Sequence, residues 1–269
     1  IRLQMQDLSQ LLKDEMASTW QWRIDTDPEL AASLGLLSRR RSTHALDPRS
    51  PSSFMDRLAW IEKALGRIED VSDEQWESLG SEDYLSYQLY VGQLTDYLEY
   101  TREHKTYLCC INRLEGPQTD LPLYARYLPT KTSDQRRFYR DFLRAMPVQL
   151  TEVTDLLRLG IAEKRTPPKI SLEGVVPQIR AMIAEDLTAF RSPLENEFCL
   201  PDEVELLQEC EQLLSGIVKD AWETFATFLE TEYIPNLRDE ISATKGYPNG
   251  VKYYQDCLKF HTTTDMTHQ

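Results

Sequence analysis

The sequence predicts a mainly α-helical protein, an irregular array of long helices with little or no β-structure. Apolar residues recur at three- and four-residue intervals along most of the chain, several helix-start signals precede these stretches, and alternating strand patterns are scarce. Hydrophobic residues make up 41% of the 269 residues and charged residues 28%, which is typical of a folded domain. A chain of this length buries a large core without disulfides or metal.

The first helical stretch covers residues 1–34 and restarts at Asp27-Pro28, because proline is well suited to a first helical turn. Residues 35–53 contain Gly, Pro and Ser and an arginine run, which predicts an exposed loop. An amphipathic helix follows over residues 54–70. The apolar residues predicted to share its buried face are Phe54, Leu58, Ile61, Leu65 and Ile68.

Ser72 and Gln75 form a capping-box pattern that predicts the start of a short helix. A long helix is expected from about Glu82 to about Glu103. We assign its apolar stripe to Leu85, Leu89, Gly92, Tyr97 and Tyr100.

The chain is expected to form one helical domain over residues 1–269, with a sub-boundary near 105–132. Residues 105–129 are predicted to be irregular, because prolines interrupt helices. The prolines concerned are Pro117, Pro122 and Pro129.

A second capping box starts at Thr132 and predicts a helix over residues 133–145, and Pro147 begins another that ends near Ala162. Further helices are expected over the ranges 171–190 and 201–233, followed by a turn or short helix at 236–243 and a short helix at 251–258.

The last residues differ in pattern. The segment Phe260–Thr264 is β-prone and lacks helical periodicity. The following Thr264–Thr267 resembles a helix start, so we expect the natural sequence to continue beyond Gln269.

Thirty basic and 44 acidic residues give a net charge of −14, which disfavours nucleic acid and anionic membranes as partners. No apolar run reaches the roughly 18 residues that a membrane helix needs, so no membrane insertion is expected. The four histidines lack the spacing of a zinc helix, and neither a nucleophile elbow nor a glycine-rich phosphate loop occurs. We therefore assign no catalytic residue and no metal ligand within this chain.

Five cysteines occur without a CxxC pair. Two interpretations stay open: reduced thiols used as small apolar residues, or one or two disulfides in an exported protein.

The segment from Tyr253 to Thr267 is the one candidate binding element. Its hydroxyl and imidazole groups are suited to an extended peptide, although for the motif taken alone a strand edge followed by a helix cap is the favoured explanation. The candidate substrate-binding residues are Tyr253, Tyr254, His261, Thr262, Thr263 and Thr264.

At this segment the sequence resembles the family called domain of unknown function 885. The matching elements, which together cover nearly the whole chain, are Pro248-Asn249-Gly250, Tyr253-Tyr254, Thr262-Thr263-Thr264, Tyr233-x-Pro235-x-x-Arg238, Gly160-Ile161 with Pro167-Pro168, Val175 to Gln178, and Leu114 to Gln118. Asp220-Ala221-Trp222 departs from the family's usual Pro-Ala-Tyr.

The resemblance implies a largely helical, bacterial and often exported protein related to gluzincin-type zinc metallopeptidases. It also implies that this chain is the N-terminal, substrate-cleft half, and that zinc and its ligands belong to a C-terminal half. On that basis the chain is inactive alone, needs no cofactor of its own, and has as partners the catalytic half and a peptide substrate.

Three alternatives stay open. The chain is a non-enzymatic binding or structural subunit of a larger assembly, or one piece of a processed enzyme whose two pieces stay associated, or the scaffold half described above. The sequence does not decide whether the chain belongs to an enzyme. It does not decide the compartment either: the resemblance favours export of a soluble protein, and a cytoplasmic location stays open.

Overall fold

The computed structural model describes residues 5–69, 71–197 and 204–267. It is 77% helical and 1% strand, and the described residues form no sheet, which confirms the mainly α prediction. An isolated parallel bridge joins Pro168 and Arg238. The α-helices are, in chain order, α1 Met5–Thr26, α2 Pro28–Ser33, α3 Pro51–Glu69, α4 Asp73–Glu77, α5 Ser81–His104, α6 Pro117–Tyr127, α7 Ser133–Ala162, α8 Val175–Ala184, α9 Thr188–Glu197, α10 Val204–Leu213, α11 Lys219–Phe228, α12 Ala243–Gly246 and α13 Gly250–Thr262.

Short turns of 3-10 or π geometry link or extend these helices. Their ranges are Leu37–Arg39, Thr106–Cys109, Lys169–Leu172, Leu214–Val218, Leu229–Tyr233 and Ile234–Asn236. The π turns follow α10 and α11 directly, and Gly216 in the first of them has non-helical backbone angles (φ −108°, ψ −109°). The helix predicted over 201–233 is therefore kinked at Gly216 in the part that the structure describes.

Two groups of helices bury separate apolar clusters. The first group is α1, α3, α4 and α5, which pack around Trp76 and Ile61. The second is built mainly on α7 and α11 and holds Trp222 and Phe142, both fully buried. Side chains from α3, α7 and the turn after α5 meet in a small cluster between the two groups. Burial of these apolar faces is the main force that holds the array together.

Several local predictions are confirmed. Asp27 ends α1 and caps α2, because its carboxylate accepts a hydrogen bond of 2.8 Å from the backbone N–H of Leu30. The two capping boxes at Ser72 and Thr132 are present. All five apolar residues assigned to the face of α3 are buried.

The loop predicted over residues 35–53 is only partly exposed, and that prediction is corrected. Residues 45–47 are buried, because the Tyr124 hydroxyl donates to the Ala45 carbonyl and two arginines surround Asp47. Arg40, in the arginine run, donates to the carbonyls of Ile24 and Asp25 near the end of α1. This places a cation at the negative end of a helix dipole.

Two helices contain prolines that the sequence analysis treated as breaks. Pro122 lies inside α6, within the stretch predicted to be irregular, and Pro147 lies inside α7, which is one helix rather than two. Each proline removes one backbone hydrogen bond. The apolar face of α7 runs past Pro147 from Met146 to Leu150, and its burial outweighs that loss.

The helix predicted over 171–190 is also wrong in extent. The chain forms a 3-10 turn, then α8, and then a break where Asp186 and Leu187 have φ of 54° and 55°. Two successive left-handed residues cannot continue a right-handed helix.

The apolar stripe assigned to α5 is wrong for Leu85 and Leu89, although Tyr97 does pack on the core. Leu85 and Leu89 are 55% and 56% exposed, whereas Tyr90 and Leu98 are buried against α1 and α3. Tyrosine, valine and leucine occur on both sides of this helix, so periodicity alone does not identify the inner face.

Candidate functional site

A cleft of about 330 Å³ lies between the second half of α5 and α13. The two helices run antiparallel, because His104 meets Asp256 near one end whereas Asp96 lies 4.0 Å from Lys259 at the other. The lining residues are Asp96, Glu99, Tyr100, Arg102, Glu103, Lys252, Asp256, Lys259 and Phe260.

His104 is the polar group that joins the two helices. Its side chain is 1% exposed, and its Nε2 lies 2.7 Å from Oδ2 of Asp256. The same carboxylate forms an ion pair with Lys252. Burial raises the pKa of Asp256, but hydrogen bonds from Lys252 and His104 outweigh it and leave that pKa below its usual value. The carboxylate is therefore ionised at neutral pH.

The backbone of His104 is held as firmly as its ring. Its carbonyl oxygen accepts hydrogen bonds of 2.8 Å from the Tyr247 hydroxyl and from the Arg165 guanidinium. Tyr247 precedes α13, and Arg165 follows α7. Three segments that are distant in sequence therefore meet at the C-terminal end of α5.

Aromatic side chains form the floor of the cleft. The Tyr100 ring stacks on Phe260 with a centroid distance of 5.0 Å, and the Tyr253 ring meets His104 edge-on at 5.1 Å. The Tyr100 hydroxyl lies 3.0 Å from the Cys257 sulfur. Burial, reinforced by Cys257, raises the pKa of Tyr100 well above its usual value and that of Tyr253 to about 12. Both hydroxyls keep their protons at neutral pH.

The turn before α13 explains why the helix begins at Gly250. Asn249 has φ of 52°, a left-handed conformation that asparagine tolerates. A Cβ at Gly250 would lie 2.2 Å from the Ala243 carbonyl oxygen, so only glycine allows α12 and α13 to approach this closely.

The structure separates the predicted binding residues into two sets. Tyr253 packs against Tyr247 and His104 beside the cleft. Tyr254 is 39% exposed, and His261 is exposed with its ring edge-on to Phe260. The predicted residues are therefore not brought together in one place, and their role in substrate binding stays a prediction.

The threonines lie at the C-terminal end of α13 rather than in a strand, so the expectation of β-structure over Phe260–Thr264 is corrected. Thr262 is the last residue of α13, and its hydroxyl donates to the Leu258 carbonyl at 2.7 Å. Thr263 adopts φ of 55° and caps the helix through the Lys259 carbonyl. No helix starts at Thr264 within the described residues, which end at 267.

Sequence reasoning missed His104, Asp256 and Tyr100 as a set. His104 and Asp256 are 152 residues apart, and no short motif links them. The spacing of Lys252 and Asp256 at i, i+4 was the only local signal, and such pairs are common on exposed helices.

The described residues do not fit a zinc site. No group of three or more His, Cys, Asp or Glu side chains in that part of the chain is arranged to hold a metal ion. His104 has a single carboxylate partner, and His44 and His261 are exposed elsewhere. We therefore derive no metal-dependent step from these residues. Cys109, Cys110, Cys210 and Cys257 are free thiols.

The chain resembles a solved protein of about twice its length. The crystal structure of "the putative lipoprotein from Colwellia psychrerythraea" matches with a TM-score of 0.78 and 15% identity, over 99% of this chain and 47% of that one. At this identity the match shows the fold alone. No curated protein matches the chain. None of the helices that the structure describes is long and apolar enough to cross a membrane.

A family model described as "Bacterial protein of unknown function (DUF885)" matches residues 28–269. The match includes α2 to α13, and so both walls of the cleft. The resemblance noted from short motifs is thus supported over most of the sequence, and the chain belongs to the DUF885 family.

Proposed function

We propose that this chain is the N-terminal helical half of a metallopeptidase-like protein and forms one wall of the cleft that receives a peptide. The observation that carries the proposal is the α5–α13 cleft, which has an aromatic floor and charged walls. Such a surface offers stacking for apolar side chains and ion pairs for charged ones.

The family resemblance supports the peptidase part of the proposal. It assigns the zinc ion and its general base to the other half of the protein, where a metal-bound water would be activated. In this proposal the role of the present chain is to bind and orient the peptide.

The lengths of this chain and of the Colwellia protein are consistent with a peptide-binding half and a separate catalytic half. The present chain aligns with 47% of the Colwellia protein, so a second half is available there to carry the chemistry. Whether the two proteins share an activity is part of the proposal.

Peptide hydrolysis tests the proposal directly. The purified 269-residue chain and the whole Colwellia protein are incubated with a mixture of quenched fluorescent peptides, with and without a zinc chelator. We expect the whole Colwellia protein to cleave peptides, to lose that activity with the chelator, and to regain it when zinc is added back. The 269-residue chain is expected to show no cleavage. Chelator-sensitive cleavage by the 269-residue chain, or none by the Colwellia protein, contradicts the proposal.

A non-enzymatic subunit is the second candidate function, and one observation favours it. The outer side of α13 exposes apolar residues at helical spacing, with Val251 63% exposed and Tyr254 39% exposed. A surface of this kind is suited to burial against another chain. Light scattering at rising concentration tests this: association supports a subunit, and a monomer that does not self-associate argues against it. The coding sequence beyond codon 269 separates the two functions, since a His-Glu helix there supports the peptidase and a stop codon supports the subunit.

A further inference from the structure

The outward side of α5 carries an exposed apolar stripe that continues the cleft. Leu85, Leu89 and Gly92 occur at the three- and four-residue spacing that places them on the same helix face as Asp96 and Glu103. Leu85 and Leu89 are more than half exposed. The opposite face of α5 packs on α1 and α3, so the stripe faces away from the core.

Helix α13 covers only one end of this face. Its contacts with α5 run from His104 to Asp96, and residues 85–92 lie beyond them. A Cβ added at Gly92 would meet nothing within 4 Å, so the backbone is open to a close approach there. The stripe is thus a continuation of the α5–α13 interface that the described residues leave exposed.

The face has the length of a short peptide. Eighteen residues separate Leu85 from Glu103, which corresponds to about 27 Å at roughly 1.5 Å per helical residue. An extended peptide rises about 3.3 Å per residue, so about eight residues span this distance.

The charged end of the face has carboxylates in excess. Each basic side chain that lines the cleft already has a carboxylate partner within 4.0 Å: Arg102 pairs with Glu62, Lys252 with Asp256, and Lys259 with Asp96. Glu99 and Glu103 are exposed and form no such pair with another described residue. They add to the negative field around the ammonium of Lys252. This end of the face therefore complements positive charge.

We propose that the outward side of α5 binds a polypeptide segment that is apolar at one end and basic at the other. Apolar side chains pack on Leu85 and Leu89, and basic side chains pair with Glu99 and Glu103. The inference rests on the proposed function, because the same cleft receives the peptide, and it adds the chemistry of that peptide. A second copy of this chain is a poorer occupant, since its net charge of −14 and its own carboxylates would be repelled.

Peptide binding measured by fluorescence anisotropy tests the proposal without requiring catalysis. The probe is a fluorescein-labelled eight-residue peptide with three leucines at one end and three lysines at the other. Its matched partner carries three glutamates in place of the lysines. We expect the lysine peptide to bind at least tenfold more tightly than the glutamate peptide at low salt, with a difference that narrows as salt rises.

Two double variants separate the two ends of the face. Glu99→Gln with Glu103→Gln is expected to weaken the lysine peptide about tenfold and to remove most of the preference between peptides. Leu85→Ser with Leu89→Ser is expected to weaken both peptides by a similar factor, about fivefold. All four positions are exposed or more than half exposed, so the fold is expected to survive, which circular dichroism checks.

Matched controls separate this site from general attraction to an acidic protein. Asp220→Asn with Glu223→Gln removes the same charge from exposed positions on α11, which packs on α7 and α8. Leu114→Ser removes a leucine that is 82% exposed elsewhere. Both controls are expected to bind the lysine peptide as the wild type does.

Several results would overturn the inference. Equal affinity for both peptides, equal loss in the control variants, or no binding up to about 1 mM peptide would each do so. Concentration-dependent dimers that the Leu85/Leu89 variant abolishes would assign the stripe to a second copy instead. A chain that binds the lysine peptide as expected, alongside a Colwellia protein without peptidase activity, would sustain this inference and reject the proposed function.

Discussion

The hydrogen bond between His104 and Asp256 should control whether α13 stays docked. Few residues of α13 are themselves buried: Gly250 is its one buried residue, and Tyr253 is half-buried. Asp256→Ala leaves the His104 ring, which is 1% exposed, without its partner at 2.7 Å. A buried polar group left unpaired costs about 1–3 kcal/mol.

This cost converts into a measurable change in local opening. A tenfold change in an equilibrium constant corresponds to about 1.4 kcal/mol. A loss of about 1–3 kcal/mol therefore raises the equilibrium constant for local opening of α13 by roughly 5- to 150-fold. Alanine has a higher helix propensity than aspartate, which offsets a few tenths of a kcal/mol of this. Hydrogen exchange followed by mass spectrometry should therefore show faster exchange over residues 250–262, with exchange in α7 unchanged.

Lys252→Gln is the matched control for that experiment. It removes the other partner of Asp256, but Lys252 is 59% exposed and the pair is solvated. Exposed ion pairs contribute about 0.2–1 kcal/mol, so we expect no more than a fivefold change. Equal exchange in the two variants, or unchanged exchange in Asp256→Ala, would show that the His104 contact does not hold α13.

Three further outcomes test other parts of the structure. Burial raises the pKa of Asp47 to about 7 in spite of two neighbouring arginines, so the folded state binds this proton more tightly than the unfolded chain does. The free energy of unfolding should therefore fall as pH rises from about 4 to 7. Chemical denaturation should show a smaller fall in the Asp47→Asn variant. Burial raises the pKa of Cys110 to about 12, so at pH 8 its alkylation by iodoacetamide, followed by peptide mass spectrometry, should be about a thousandfold slower than that of a thiol with the reference value of 9.0. A Cβ at Gly160 would lie 2.8 Å from the Leu108 carbonyl oxygen, so Gly160→Ala should destabilise the protein by about 1–3 kcal/mol in thermal unfolding, whereas Gly66→Ala, where the Cβ meets nothing within 4 Å, should stabilise it by about 0.5–1 kcal/mol.

Local signals in the sequence predicted helix starts well. The caps at Asp27, Ser72 and Thr132 are contacts between residues three positions apart, so the sequence alone specifies them. The apolar face of α3 was also readable, because its other side is polar and only one orientation buries the apolar residues.

Helix ends and interior prolines depend on tertiary burial and were therefore missed. Pro147 costs α7 one hydrogen bond, and the local rule predicts a break. The apolar face on both sides of it is buried, which the sequence near Pro147 does not reveal. For the same reason the exposed Leu85 and Leu89 looked like core residues, since a docking surface and a buried face have the same periodicity.

The candidate site was predictable only in part. The segment from Tyr253 to Thr267 was singled out for its hydroxyl and imidazole groups, and Tyr253 packs edge-on against His104 beside the cleft. Its partners on α5 could not be identified, because pairing over 152 residues is a property of the fold. The threonines, chosen for their hydroxyls, cap the end of α13 through local contacts.

The residues that carry the family resemblance support the placement of α13. Gly160 allows the chain around Leu108 to pack closely on α7, just after His104. Arg238 donates to the Thr166 carbonyl at 2.9 Å and lies against Gly246, at the end of α12. Gly250 then permits the close contact between α12 and α13.

These contacts connect α7, α12 and α13 in series, from the core to the cleft. None of them places a reactive group by itself, and only the one at Gly250 involves a residue of α13 directly. If the family motifs serve this purpose, substitutions at Arg238 or Gly250 should speed hydrogen exchange in α13 in the same way as Asp256→Ala, although they lie outside the cleft lining. Faster hydrogen exchange in all these variants would have one cause, the loosening of α13 as a wall of the cleft. It would distinguish residues that position α13 from residues that touch a ligand.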